Sequence, residues 1–252
     1  MNHSIFEDIK NRIKPYLYFS KIFLSKYSSR QRRSLEKYKN FYSNNFINPG
    51  DLVFDVGANY GDKTEIFLSV NAKVVSIEPQ EQCINIMKKR FRNNDQVVLI
   101  EKGLSNNEGI LEFYICDNTN TISTFSEKWK KGRFSSFRWD RTKKIPVTAL
   151  DNLIKIYDVP AYCKIDVEGY EVEVLKGLSC PIKYISFEFT KEFFDDARLC
   201  MDHIMTLGNP RFNWACGCEL KLQKWVKADE LCEILEGIKD DSLHGDIYSK
   251  LI

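Results

Sequence analysis

The 252-residue sequence predicts an α/β fold, in which a mainly parallel sheet carries helices on both faces after an N-terminal helical extension. Two observations support this. From residue 50 onward, short apolar runs alternate with amphipathic segments, the order typical of strand–helix–strand units. Before them, the turn-forming residues Asn48, Pro49 and Gly50 end a stretch with helical character. We therefore expect an extension over residues 1–48 and one domain over 49–252.

The elements follow in order along the chain. Residues 1–46 are predicted to be helical, and the buried strand 52–56 precedes a helix over 61–70. Pro79 stops the strand 74–78, and the next helix is predicted over 80–92. Further strands are predicted at 97–101, 110–115, 145–150, 162–167 and 184–189, with helices from 151, at 169–177, near 195–206 and at 228–237. The segments 211–216 and 219–226 are interpreted as a hairpin that closes the sheet.

Residues 117–144 interrupt this alternation. The segment is polar and rich in Ser and Thr, then basic, with eight Lys or Arg residues against three acids over 117–145. A loop of this length inside a compact domain is commonly functional. We interpret it as an inserted binding loop or lid.

The run "FDVGANYGDKT" at 54–64 places two glycines between a strand and a helix, which is how a chain builds a backbone cradle for a ligand. A P-loop is excluded because Asp62 stands where its second glycine should be. A dinucleotide fingerprint is disfavoured because Asn59 takes the place of its middle glycine. S-adenosylmethionine (SAM) carries no phosphate, and Asp55 offers an anion for its ammonium group. Glu78, at the end of the second strand, can accept hydrogen bonds from ribose hydroxyls.

A second group of polar residues follows the buried strand 162–167. Asp166 and Glu168 stand at its carboxyl end, where open α/β sheets bind ligands. Carboxylates beside apolar strand residues are costly to bury unless they have a partner or a function.

Together, these motifs resemble the FkbM family of SAM-dependent methyltransferases. The matching motifs are "DVGANYG" at 55–61, "IEP" at 77–79, "KGLSNNEG" at 102–109, "TALDNL" at 148–153, "KIDVEGYEVEVLKG" at 164–177 and "ISFEF" at 185–189, with a weaker "GDIYSKL" at 245–251. The resemblance implies the class I methyltransferase fold, a Rossmann-like sheet of seven strands with the last strand reversed. It also implies O-methylation of a hydroxyl, often on a sugar of a surface polysaccharide or on a natural product.

The resemblance further implies a set of site residues. The cofactor-binding candidates are Asp55, Gly57, Ala58, Asn59 and Gly61 for the methionine end, Glu78 for the ribose, and Gly103, Leu104 and Ser105 for the adenine. The catalytic candidates are Asp166, Glu168 and Glu188, whose strand ends can converge. A divalent metal on these acids stays open, because Phe189 stands where related enzymes of this fold carry a ligating amide.

The acceptor candidates lie in the inserted segment. Arg133, Arg138 and Arg141 can hold carboxylates or phosphates, and Trp139 can stack on a sugar ring. The net charge of +2 gives no reason to expect nucleic acid as a partner. We therefore expect a small-molecule or glycan acceptor.

The remaining expectations concern location and alternatives. No apolar run approaches the length of a membrane span, although residues 14–26 could touch a membrane surface. Eight cysteines without a visible secretion signal predict reduced thiols in a cytoplasmic protein. Two alternatives remain at this point: a catalytically silent nucleoside-binding scaffold on the same fold, and a Rossmann NAD-dependent oxidoreductase.

Overall fold

The computed structural model of the chain describes residues 29–116, 119–132, 134–139, 141–216 and 219–252, with side chains described from residue 33 onward. The strands, in chain order, are Leu52–Val56 (β1), Lys73–Ile77 (β2), Val97–Ile100 (β3), Gly103–Leu104 (β4), Gly109–Ile115 (β5), Arg141–Thr148 (β6), Tyr162–Ile165 (β7), Tyr184–Thr190 (β8), Pro210–Cys216 (β9) and His244–Leu251 (β10). The α-helices are Ser29–Asn45 (α1), Asp62–Ser69 (α2), Glu81–Arg90 (α3), Glu127–Lys131 (α4), Leu150–Tyr157 (α5), Glu171–Lys176 (α6), Phe194–Thr206 (α7) and Ala228–Gly237 (α8).

The main sheet has seven strands in the order β3-β2-β1-β7-β8-β10-β9. Strands β3, β2, β1, β7 and β8 run parallel to one another, whereas β10 is antiparallel to both β8 and β9. This confirms the predicted class I methyltransferase sheet with one reversed strand. The strand order changes direction between β1 and β7, so a crevice forms at the carboxyl ends of these two strands.

The predicted hairpin of 211–216 with 219–226 is wrong. Strand β9 pairs along its whole length with β10. Residues 219–226 form no ladder with β9: they contact it through an isolated bridge between Val226 and Phe212 and through hydrogen bonds of the Asn213 side chain to the backbone of Gln223. The reversed strand is therefore β10, which lies between β8 and β9 rather than at the sheet edge. The half-buried Leu220, Leu222 and Trp225 explain the misleading pattern, because they pack against the core without joining the sheet.

A smaller sheet, β4-β6-β5, stands beside the main one. Strand β6 begins at Arg141, so the predicted loop 117–144 is partly regular: it contains a 3₁₀ turn at Asn120–Ile122, helix α4 and the start of β6. Antiparallel pairing of β5 with β6 ties both ends of this segment to the domain.

Helices cover both faces of the main sheet. On one face, Phe54 and Val56 of β1 pack in a core that includes apolar residues of α5, α6, α7 and α8. On the other face, Val53 packs with aromatic residues of α1 and α2, among them Tyr42 and Phe67. Alternate residues of β1 thus pack in two different cores, because successive side chains of a strand point to opposite faces of the sheet.

None of the described helices is both long and apolar enough to cross a membrane. The predicted surface contact at 14–26 and the first 28 residues of the helical extension lie outside the described residues.

Candidate active site

The loop between β1 and α2 is shaped by positive φ angles. Gly57 has φ 79°, and a Cβ there would stand 1.8 Å from the backbone oxygen of Asp166. Gly61 has φ 83°, and a Cβ there would stand 2.6 Å from the Phe91 ring. Asn59 adopts φ 49°, a left-handed conformation that asparagine tolerates better than most residues. Both glycines are therefore required by protein packing, whether or not a ligand is bound.

Glu78 fixes this loop from the end of β2. Its Oε2 accepts a hydrogen bond from the backbone N–H of Asn59 at 2.8 Å, and its Oε1 accepts one from the N–H of Gln80 at 2.9 Å. Burial raises the pKa of Glu78 to about 7, although these two N–H groups favour the charged form. A carboxylate has four acceptor sites, so the group keeps capacity for further donors.

A cavity that is open to solvent, the first cavity, lies beside this loop. The predicted site residues that line it are Gly57, Asn59, Glu78, Gly103, Leu104, Asp166 and Glu168. Asn59 also presents a buried side-chain oxygen, Oδ1, that has no hydrogen-bond partner among the described residues. A buried acceptor of this kind needs a donor, and a ligand in the first cavity can supply one.

Four of the predicted cofactor residues lie outside the lining. Asp55 is fully buried, and its Oδ2 accepts the hydroxyl of Thr64 at 2.6 Å. Burial raises the pKa of Asp55, and the nearby ammonium of Lys164 opposes this shift. Ala58 packs against side chains of α3, and Ser105 bonds the phenol of Tyr170 at 3.3 Å. Together with Gly61, these residues support the cavity wall and do not form its surface.

The three predicted catalytic acids are brought together. One carboxylate oxygen from each of Asp166, Glu168 and Glu188 lies within 4.8 Å of the other two, and we call this group the carboxylate cluster. The sequence predicts that these three acids can converge, because the ends of parallel strands meet at one edge of the sheet. The structure confirms that they converge. A group of oxygens at this spacing can accept a proton or hold a divalent cation.

Lys164 is a site residue that the sequence reasoning missed. Its side chain is almost fully buried, and its Nζ lies 2.6 Å from Oδ2 of Asp166. Burial acts to lower the pKa of Lys164, but the carboxylates of Asp166, Asp246 and Asp55 outweigh it, so that the pKa is raised. Its position two residues before Asp166 in a buried strand was an available signal, because residues i and i+2 share one face.

Register explains why Lys164 has so many acidic and polar neighbours. It pairs with Asp55 on β1 and with Ser186 on β8, and Asp55 pairs in turn with Ser76 on β2. Residues in register on parallel strands point to the same face. A polar row therefore crosses the sheet directly behind the carboxylate cluster.

The loop after β7 is held in a strained conformation. Glu168 has φ 57°, which costs a residue with a side chain about 1–2 kcal/mol. Glu171 accepts hydrogen bonds from the backbone N–H groups of Val167 at 3.1 Å and Gly169 at 3.3 Å. The hydroxyl of Thr124 donates to the backbone oxygen of Glu168 at 2.7 Å. These bonds position the Glu168 side chain toward the first cavity.

The inserted segment reaches the site through its polar half. Thr121, Ser123 and Phe125 line the first cavity, and the sequence reasoning did not single out any of them. The Trp129 ring covers Gly169, where a Cβ would meet it at 2.6 Å. The segment therefore forms part of the cavity wall, as a binding loop would.

The predicted acceptor residues are placed differently. Arg138 and Arg141 are exposed, and Arg133 lies outside the described residues. Trp139 donates its ring N–H to the backbone oxygen of Phe134 at 2.9 Å and packs in a small aromatic cluster. The structure thus gives Trp139 a packing role. Trp139, Arg138 and Arg141 are not among the residues that line the first cavity.

Comparison with solved structures finds methyltransferases that superpose only approximately on this chain. The precorrin-6y C5,15-methyltransferase of Geobacter metallireducens matches 90% of this chain and 92% of its own, at 9% identity and a TM-score of 0.46. An rRNA methylase of Streptococcus thermophilus matches 90% of this chain and 99% of its own, at 11% identity and a TM-score of 0.43.

Sequence comparison is more informative. The hexuronic acid methyltransferase AglP of Haloferax volcanii is 27% identical over 144 residues, which cover 54% of this chain and 54% of that protein. The chain thus matches about half the length of this relative. The family model described as the methyltransferase FkbM domain matches residues 55–215, which is more than half of the chain. The chain therefore belongs to the FkbM family of methyltransferases.

Proposed function

We propose that the chain is a SAM-dependent O-methyltransferase whose acceptor is a hydroxyl group of a sugar or glycan. The observation that carries the proposal is the position of the carboxylate cluster, two of whose members line the first cavity. Family membership supports methyl transfer, and the hexuronic acid methyltransferase activity named for the Haloferax relative supports a sugar acceptor.

The residues of the first cavity fit the cofactor in chemical type. Glu78 has acceptor capacity left for the two ribose hydroxyls, and Gly103 and Leu104 border the space for the adenine. The unsatisfied Oδ1 of Asn59 would accept a hydrogen bond from the ammonium of the methionine end. Asp55 would then act from behind, by holding Thr64 at the start of α2.

When bound, SAM supplies an electrophilic methyl group on a positively charged sulfur. The protein must then align a hydroxyl oxygen with that methyl group and accept the hydroxyl proton as the new C–O bond forms. A carboxylate of the cluster would take this proton, while the C–S bond electrons remain on the departing sulfur. Lys164 would keep Asp166 charged and oriented through their 2.6 Å ion pair.

The exposed Arg138 and Arg141 would contribute outside the reacting centre. If the acceptor contains more than one sugar, its further sugars would lie near Arg138 and Arg141. Acidic groups on those sugars would be favoured, because a guanidinium binds carboxylates and phosphates. The exclusion of nucleic acid as acceptor remains a prediction.

The first experiment is calorimetric titration with S-adenosylhomocysteine (SAH) and, separately, with NAD. We expect binding of SAH and none of NAD. Binding of NAD alone would instead favour an oxidoreductase.

The second experiment separates an enzyme from a silent binding protein. Mass analysis of cell-surface glycans, with the gene present and deleted, should show the loss of a methyl group. Re-expression of Glu188→Gln should fail to restore it while SAH affinity stays unchanged, because Glu188 does not line the first cavity. The exposed Glu233→Gln serves as the matched control and should restore methylation. Full restoration of methylation by Glu188→Gln would contradict a catalytic role for this carboxylate.

A further inference from the structure

A second, smaller cavity adjoins the same carboxylate cluster. Glu188 lines this cavity, whereas Asp166 and Glu168 line the first. Of the described residues, none lines both cavities. Members of the carboxylate cluster therefore border both cavities.

The second cavity contains a polar group without a partner. Thr190, at the end of β8, is 3% exposed and lines the cavity, and its hydroxyl has no hydrogen-bond partner among the described residues. A buried hydroxyl left unsatisfied is costly, and native proteins seldom keep one without a function. A ligand hydroxyl could satisfy it.

Two aromatic side chains form part of the wall. The rings of Trp129 and Phe193 lie with centroids 5.7 Å apart and planes inclined by 38°. Their electron-rich faces suit the C–H groups of a sugar ring, which carry partial positive charge. Phe189 adds apolar surface at the end of β8.

The charge of the lining selects among sugars. The charged side chains that line the second cavity within the described chain are Glu171, Glu188 and Asp196, all acidic. Lys128 donates to both carboxylate oxygens of Asp196, at 2.9 and 2.8 Å, and offsets one of these charges. Burial raises the pKa of Glu171 to about 7, so its negative charge is only partly present at neutral pH. A uronate ring would still place its own carboxylate beside Glu188, which is unfavourable in a partly buried site.

We infer that the second cavity binds the reacting sugar of the acceptor, and that this sugar is an uncharged pyranose whose hydroxyl bonds Thr190. The inference rests on the proposed function and names its substrate class. This sugar differs from the substrate of the Haloferax relative, which is a hexuronic acid methyltransferase.

The test is saturation-transfer NMR of the full chain with methyl glucopyranoside and with methyl glucuronopyranoside, each with and without SAH. We expect the neutral glycoside to bind and the glucuronide to bind more weakly. Thr190→Val should weaken binding of the neutral glycoside about three- to tenfold through loss of one hydrogen bond, with SAH affinity unchanged. Thr190→Ser, which keeps the hydroxyl, should retain binding, and the exposed Thr142→Val is the matched control.

The thermal stability of the Thr190 variant distinguishes a ligand-binding role of this residue from a purely structural one. Because the Thr190 hydroxyl is unsatisfied, Thr190→Val should leave the melting temperature unchanged or raise it. Undiminished glycoside binding by Thr190→Val, or tighter binding of the glucuronide, would overturn the inference. Failure of the wild-type protein to bind SAH would instead overturn the proposed function, since the titrations without SAH test the second cavity separately.

Discussion

Lys164→Met should be strongly destabilising. The side chain is almost fully buried, and its ammonium contacts the Asp166 carboxylate at 2.6 Å. Removing one partner of a buried ion pair leaves an uncompensated charge and costs about 3–5 kcal/mol. Here Asp55 and Asp246 would also lose their neighbouring positive charge. The loss is a large fraction of the ~5–15 kcal/mol that stabilises a typical domain.

The assay is urea unfolding of the wild type, Lys164→Met, Asp166→Asn and the double variant. The double variant should regain about 1–3 kcal/mol relative to the sum of the single losses, because it removes both charges. Lys176→Met is the matched control: Lys176 pairs with Glu173 at 2.7 Å on the surface, with its side chain 51% exposed. Loss of that exposed pair should cost less than about 1 kcal/mol.

The pH dependence follows from the raised pKa of Lys164. A lysine whose pKa is higher in the folded state contributes stability that is fully present below its ordinary pKa. That contribution is lost only as the pH rises through the raised value. The difference between wild type and Lys164→Met should therefore persist at neutral pH and shrink in strong alkali. It should also shrink in acid, where the carboxyls themselves take up protons. A loss below about 1 kcal/mol at pH 7, or strict additivity in the double variant, would refute the reasoning.

Four further predictions concern the first cavity and the carboxylate cluster. Glu78→Ala should weaken binding of SAH and methylthioadenosine by about 1–3 kcal/mol in calorimetry, and unchanged affinity would remove its assignment to the ribose. Because the pKa of Glu78 is raised to about 7 and the charged form accepts hydroxyls, wild-type affinity should fall as the pH drops below 7; a flat profile would argue against a charged acceptor. Gly57→Ala should unfold or severely destabilise the protein in a thermal melt, since the added Cβ would lie 1.8 Å from the Asp166 backbone oxygen, whereas Gly109→Ala, with open space around it, should be tolerated. In the proposed mechanism a carboxylate takes the proton, so chelation with EDTA should leave methyl transfer unchanged; loss of activity that Mg²⁺ restores would assign the carboxylate cluster to a cation instead.

The Gly57 prediction replaces an expectation drawn from the sequence. From the motif alone, a glycine between a strand and a helix suggests close approach of a ligand, and a substitution there should affect binding in a folded protein. The structure shows that the neighbouring atoms belong to the backbone after β7. The same motif position is thus explained by contact between two strand ends.

The sequence determined the order and type of most elements. The helix predicted at 228–237 has those bounds in the structure, and the parallel strands lie close to their predicted positions. These elements are local, since each depends on a periodic pattern and on turn residues that lie within it. Convergence of Asp166, Glu168 and Glu188 was also predictable, because the carboxyl ends of parallel strands share one edge of the sheet.

Only the tertiary structure decided which segments pair and which side chains face a cavity. Residues 219–226 were predicted as a strand and residues 244–251 were not, yet only the second segment enters the sheet, where it pairs with both β8 and β9. Asp55 and Lys164 are adjacent solely through the register of β1 with β7, and Thr190 borders a cavity whose walls come from three distant parts of the chain. A sequence pattern specifies the type of element a residue belongs to and which face of that element it occupies. Pairing and burial depend on contacts between elements, whose free energy is set by the assembled core.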